Sequence, residues 1–502
     1  MESTLSSQVI LLIIAAYFAF LIVISFITGR KADQAGFFIG NKSSSWVIVA
    51  IGMIGTSLSG VTFISLPGAV GNGGMNQALS YMQMVFGYLI GYFIIATVLL
   101  PLYYRLNLTS IYTYLGQRFG KEAHKTGSAY FIVSRTVGAS FRLFLVAGVL
   151  QSFVTGPMGV PFWGTVLATI VLIWIYTFSG GIKTIIWTDT IQTICMVLAV
   201  VITLVAISKS FGLSITEIPS YVHNGKYGQL FFFDEMWKDG NNFWKQIISG
   251  ALIALAMTGL DQDMMQKNLS CKSLKDAQKN MLMFCILLVI VNFIFLYLGA
   301  MLFEFAELNA VSIPERPDHL YPTLALNYLP PTVGILFILG LIAAAYSSAD
   351  SALTALTTAF CIDFLNFDKV DNTQTNEERK KTRLIVHIGF SFLLFAVILL
   401  FNALPKDSSI INQIFVAAGY TYGPLLGLFF FGMFFKTRTP SGTSIIISCI
   451  TAPVLSYLLN NGLKDVFSFG STILAVNGLL TLGLLYLSST ISPSRKPDTL
   501  LD

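Results

Sequence analysis

Apolar residues run through this chain in thirteen long, nearly continuous blocks separated by polar segments, with no strict alternation inside any block. The blocks fall at approximately 8–28, 44–67, 77–102, 126–153, 161–178, 184–208, 246–265, 280–305, 330–362, 384–402, 409–435, 442–460 and 468–488. A helix rises about 1.5 Å per residue, so each block is long enough to cross an apolar layer about 30 Å thick. A closed β-barrel, the other way to span a bilayer, would show short alternating segments instead. The pattern therefore predicts an all-α integral membrane protein with about thirteen transmembrane helices.

Composition removes the alternatives. Of 502 residues, 55% are hydrophobic and 11% charged, against about 25% charged in soluble globular domains. The formal charge of +5 is spread over many loops, so no nucleic-acid surface is indicated. Cys195, Cys271, Cys285, Cys361 and Cys449 show neither zinc spacing nor a disulfide framework. The amino terminus enters its first block without basic residues before it or a cleavage motif after it, which reads as a retained helix.

Cytoplasmic loops keep an excess of Lys and Arg. With the amino terminus outside, 21 of the 30 fall on the inner side, Lys267 to Lys279 among them, and seven on the outer side, including Lys245. The remaining two, Arg135 and Arg142, lie inside the fourth block. This bias predicts an external amino terminus and a cytoplasmic carboxyl terminus in the plasma (inner) membrane. The longest polar stretches, near 209–245, 306–329 and 363–383, are too short for a soluble domain. The tail from Thr490 to Asp502 is short and polar, and carries no catalytic motif.

Function is sought where polar groups sit at membrane depth, because an ionisable side chain there costs at least about 2.5–3.5 kcal/mol and needs a partner, a cavity or a task. The second block contains Gly55-Thr56-Ser57-Leu58-Ser59-Gly60-Val61-Thr62, two glycines and four hydroxyls in eight residues. Such a stretch can unwind and free carbonyls for cations and amides for anions; packing through small residues is the plainer reading. In the ninth block, Ser347, Asp350 and Ser351 share one helical face and offer hard oxygen ligands suited to an alkali cation. Hydrogen bonding between helices is the alternative there. Asp189 lies one to two turns into the sixth block, where it binds a cation or caps the inner interface. Asp261 and Asp263 stand near the inner end of the seventh, as gate or ion-pair groups or in transport itself. Arg135 and Arg142, two turns apart on one face, need an anion, supplied by Asp350, Asp189 or a carboxylate on the solute. The four histidines fall at segment ends and in loops, with no catalytic spacing.

At these residues the sequence resembles the sodium:solute symporter family, and within it the pattern is most similar to bacterial sialic acid transporters. The resemblance runs from about residue 30 to 435. It rests on Gly55–Phe63 leading to Pro67, on Tyr176-Thr-Phe-Ser-Gly-Gly-Ile to Trp187-Thr-Asp-Thr-Ile-Gln192, on Ala343-Ala-Ala-Tyr-Ser-Ser and on Gln262-Asp263-Met-Met-Gln266-Lys267.

The resemblance implies a leucine-transporter-like fold of two inverted five-helix repeats with broken first helices. The repeats would be 44–208 and 246–435, after a leading helix and inner loop (1–43), separated by the outer loop 209–245 and followed by two extra helices and the tail (436–502). It implies a main Na+ site from the carbonyls of Gly55, Leu58 and Ala344 and the hydroxyls of Ser347 and Ser348. A second site would use Asp189, Ser347, Asp350 and Ser351, with Asp350 standing where the compared transporters have serine. Ser57, Ser59, Thr62 and Gln83 match substrate-contacting positions. The family's arginine aligns with Gly138, one turn from both Arg135 and Arg142, which makes those two the substrate-facing candidates.

The expectation is a sodium-coupled secondary active symporter, not an enzyme, that imports a small organic solute, anionic like sialic acid, by alternating access. Its partners are the solute, sodium ions and the lipid bilayer; nothing in the pattern speaks to oligomeric state. A sodium-coupled sugar or amino-acid symporter is the alternative within the class. A transporter-derived channel or sensor, or a lipid-acting membrane enzyme built on Asp261 and Asp263, would belong to other classes.

Overall fold

A computed structural model describes residues 7–29, 38, 40–71, 77–177, 181–367, 375–403 and 410–491. Phe178 to Gly180 of the Tyr176–Gln192 segment, and the tail beyond Ile491, lie outside the described residues. The described regular elements are helices, with one isolated bridge between Ser44 and Cys271.

Among the described residues, ten helices are long and apolar enough to cross a membrane, or up to twelve spans if each of two bent pairs counts as one. The pairs are Trp46–Ser57 with Gly60–Ala69, bent by 59°, and Phe243–Gly259 with Gln262–Leu269, bent by 65°. The predicted fifth span coincides with Phe162–Thr177, at 16 residues too short to count among those crossings. All thirteen apolar blocks thus coincide with helices, while the number of crossings counted in this way stays at ten to twelve.

Burial separates centre from periphery. The crossing window of Pro331–Phe364 is 78% buried, whereas those of Gln8–Ile27, Asn376–Ala403 and Gly442–Leu463 are each 28% buried. The central helix packs against Gly181–Ser210, Lys121–Leu150 and both halves of the first bent pair. Phe243–Ala254 packs closely on Tyr81–Ile94, and two glycines allow it. A Cβ on Gly250 would stand 2.1 Å from the Met84 carbonyl, and one on Gly87 would stand 2.3 Å from that of Ile247. In lipid, where apolar burial gives little drive for helices to associate, such close backbone approach supplies the packing.

Candidate functional site

The first bent pair breaks where the hydroxyl-rich sequence predicts. Short hydroxyl side chains compete with the helical backbone, and Leu58 (φ −88°, ψ 77°) and Ser59 (φ −73°, ψ 178°) leave helical conformation between the two glycines. Ser59 opens the second half without a side-chain cap. Against this break lies Ser347. Its Oγ is buried with no hydrogen-bond partner, and a Cβ on Gly55 would come within 2.9 Å of it. Among the described residues, Ser348 Oγ reaches only the Ala345 carbonyl, at 3.5 Å. Bare Gly55 backbone and two poorly satisfied hydroxyls suit a small hard cation, so the residues fit a sodium ion.

The second bent pair is closed. Asp261 Oδ1 accepts from the Asp263 and Met264 amides at 2.9 and 3.3 Å, and the Tyr422 hydroxyl donates to its Oδ2 at 2.6 Å. The Tyr103 and Tyr112 hydroxyls donate to the carbonyls of Gly259 and Leu260, each at 2.9 Å. Beyond the bend, Gln262 is tied to the Ile111 amide and the Thr109 carbonyl. Gln266 donates to the Phe38 carbonyl and to Thr358.

Arg135 belongs to this closed region. It hydrogen-bonds Asp263 and lies 3.8 Å from Asp261. The sequence offered Asp350, Asp189 or a carboxylate on the solute as its anion; the 65° bend brings Asp261 and Asp263 to it instead. Arg142 differs. It is 8% exposed, and no carboxylate among the described residues lies within ion-pair distance of it.

Both arginines line a cavity of about 740 Å³, its opening included, together with Ser57, Ser59 and Thr62. Its wall mixes Tyr81, Tyr88, Tyr92 and Asn292 with apolar Ile253, Met257, Leu288 and Phe415. This is the usual make-up of a small-molecule site, apolar walls with a few placed polar groups. A smaller recess alongside reaches Gly138 and Tyr422, and a Cβ on Gly138 would meet nothing within 4 Å. Gln83 is not in the wall. It is buried and joins two loop strands, donating to the Asn241 carbonyl at 2.8 Å and accepting from the Phe232 amide at 3.0 Å.

Of the residues expected to form a second cation site, Asp189 and Ser351 meet, around a group the sequence assigned elsewhere. Asp189 Oδ2 accepts from Thr56 at 3.0 Å and from Ser351 at 3.1 Å. Asp350 Oδ1 accepts from the Ser351 amide at 2.5 Å. Lys267, placed by sequence in an inner loop, is 1% exposed. Its Nζ stands 2.5 Å from Asp189 Oδ2 and 2.8 Å from Ser351 Oγ, and it also contacts Thr56. Lys245 is likewise buried rather than free in the outer loop, bonding the Trp237 and Ser468 carbonyls. Sequence reading missed Lys267 and Asn292. The Gln266-Lys267 motif was the signal for the first; for the second, a lone asparagine in an apolar block was.

The pattern of the sodium:solute symporter family matches residues 37–447. The sodium/sialic acid symporter NanT of Aliivibrio fischeri is 26% identical over 90% of this chain and 88% of its own. A mouse sodium-coupled monocarboxylate transporter 1 is 28% identical and the human sodium/iodide cotransporter 24%, each over 82% of this chain. This chain spans 66% and 63% of those two longer proteins. A substrate-bound, outward-open Na+-coupled sialic acid symporter superposes with a TM-score of 0.82 at 20% identity, covering 98% of this chain and 99% of that one. Mhp1, a nucleobase-cation-symport-1 transporter, gives 0.55 over 92% and 96%. The fold is that of the leucine-transporter-like symporters, and the chain belongs to the sodium:solute symporter family, as a sodium-coupled symporter of an organic solute and not an enzyme.

Proposed function

We propose that this symporter imports a small organic anion, with its carboxylate held by Arg142 and one sodium ion held by Gly55, Leu58, Ala344, Ser347 and Ser348. The observation that carries the reading is the contrast between the arginines: Arg135 has its carboxylates, while Arg142 faces the same cavity without one. A buried guanidinium is costly without an anion, and a bidentate carboxylate is its best partner. Ser57, Ser59 and Thr62 add hydroxyls to the lining of the same cavity. Sialic acid and monocarboxylates, which the relatives named above carry by name, both supply the required group.

The two bent helices begin the repeats 44–208 and 246–435. Sodium entering from the outside, where the amino terminus lies, orders the break beside Ser347 and Ser348 and raises the population of the state competent for solute. Inner opening then releases both to the cytoplasm.

Purified protein in proteoliposomes, given an inward sodium gradient, tests this. Sodium-dependent uptake of radiolabelled sialic acid or of a monocarboxylate, reduced roughly tenfold or more at low solute concentration in Arg142→Gln, is expected. Sodium-driven uptake of a hexose or a neutral amino acid that survives Arg142→Gln would refute the anionic assignment.

A further inference from the structure

We infer that Lys267 is a tethered cation: its ammonium fills the second cation position, so the protein binds and carries one sodium ion rather than two. An ammonium has three N–H donors. Here three side-chain oxygens receive them, from Asp189, Ser351 and Thr56. Two of those side chains, Asp189 and Ser351, were expected to ligate a second sodium. Asp189 Oδ2 is already the acceptor for three donors. An ion between Asp189 and Ser351 would sit within hydrogen-bonding distance of a like charge that water cannot screen.

The ammonium reaches this position because of the second bend. Gln262–Leu269 turns by 65° from the preceding helix and packs against both the Pro331–Ala359 helix and the first half of the broken second span. Asp263, four residues before Lys267, places its Oδ1 4.0 Å from Nζ. The lysine stem, rooted in a rigidly anchored helix, thus carries a charge that cannot diffuse away. The main site is left to the mobile ion, because the bonds of the ammonium go to Asp189, Ser351 and Thr56 and to none of the five main-site residues. Through Asp189 and Ser351, the lysine holds together the helices that a second sodium would otherwise bridge. With an anionic solute, one sodium per cycle carries no net charge across the membrane.

The inference rests on the sodium reading of Ser347 and Ser348, and the test separates the two. Equilibrium binding of 22Na+ to the purified full chain, without solute, counts ions per protein. The wild type should bind one. Lys267→Gln and Lys267→Met, which vacate the position beside the Asp189 carboxylate, should bind two, and Lys267→Arg should bind one. Two ions in the wild type would overturn the inference whatever the variants do, and so would a single ion in folded Lys267→Gln and Lys267→Met. No sodium in the wild type would instead defeat the main-site reading on which the inference depends.

Discussion

The two broken helices have a similar bend and opposite finishes. At Leu58–Ser59 the chain opens without a side-chain cap, beside the unpartnered Ser347 hydroxyl. At Leu260–Asp261 a carboxylate caps the next helix, and two tyrosines cover the last carbonyls. A helix end inside a membrane has loose donors and acceptors that something must satisfy. The second break satisfies its own with side chains and serves as a fixed bend. The first leaves them for what passes through, and its Ser57 and Ser59 line the cavity that Arg142 enters.

The contrast makes ordered predictions. Asp263→Ala should act most strongly, because it removes the hydrogen-bonded carboxylate of buried Arg135. A loss of about 3–5 kcal/mol is expected, seen as a lowered melting temperature in sodium and potassium alike. Arg142→Gln has no ion pair to lose. It should leave ligand-free stability the same or higher and weaken anion binding by roughly 10- to 100-fold, as for a lost hydrogen bond to a charged group of about 1.5–3 kcal/mol. Ser347→Ala should raise the sodium concentration for half-maximal uptake by roughly tenfold, while melting in potassium stays the same. An equal loss in both salts would make the first break as structural as the second. Tyr103→Phe exposes the Gly259 carbonyl and should cost about 1 kcal/mol in either salt, with sodium affinity unmoved. Gly138→Ala, whose new methyl meets open space, should add up to about 1 kcal/mol through helix propensity.

Much of this architecture was legible from residue order. Unbroken apolar blocks mark the helices directly, since in lipid the backbone must satisfy itself within each segment. The first break was legible because close packing needs small residues but not four hydroxyls in the middle of an apolar block. Lys267 was misplaced because hydropathy ends a span at its first basic cluster, whereas the 65° bend folds that lysine back into the interior. Arg135 and Asp263 are 128 residues apart, and neither local spacing nor charge count pairs them. Gln83 shows the converse. Its position matched a substrate-contacting glutamine by resemblance, yet its amide closes on loop backbone instead.

The central claim is that sodium and an organic anion bind together at the open break, and ligand-linked stability tests it at equilibrium. The melting temperature of purified wild type and Arg142→Gln would be measured in sodium and in potassium, each with sialic acid, short monocarboxylates, hexoses and amino acids. The account predicts that sodium stabilises both proteins, and that a carboxylate-bearing solute adds to this only in sodium and only with Arg142 present. No sodium effect in the wild type, or an uncharged solute that stabilises both proteins equally, would contradict it.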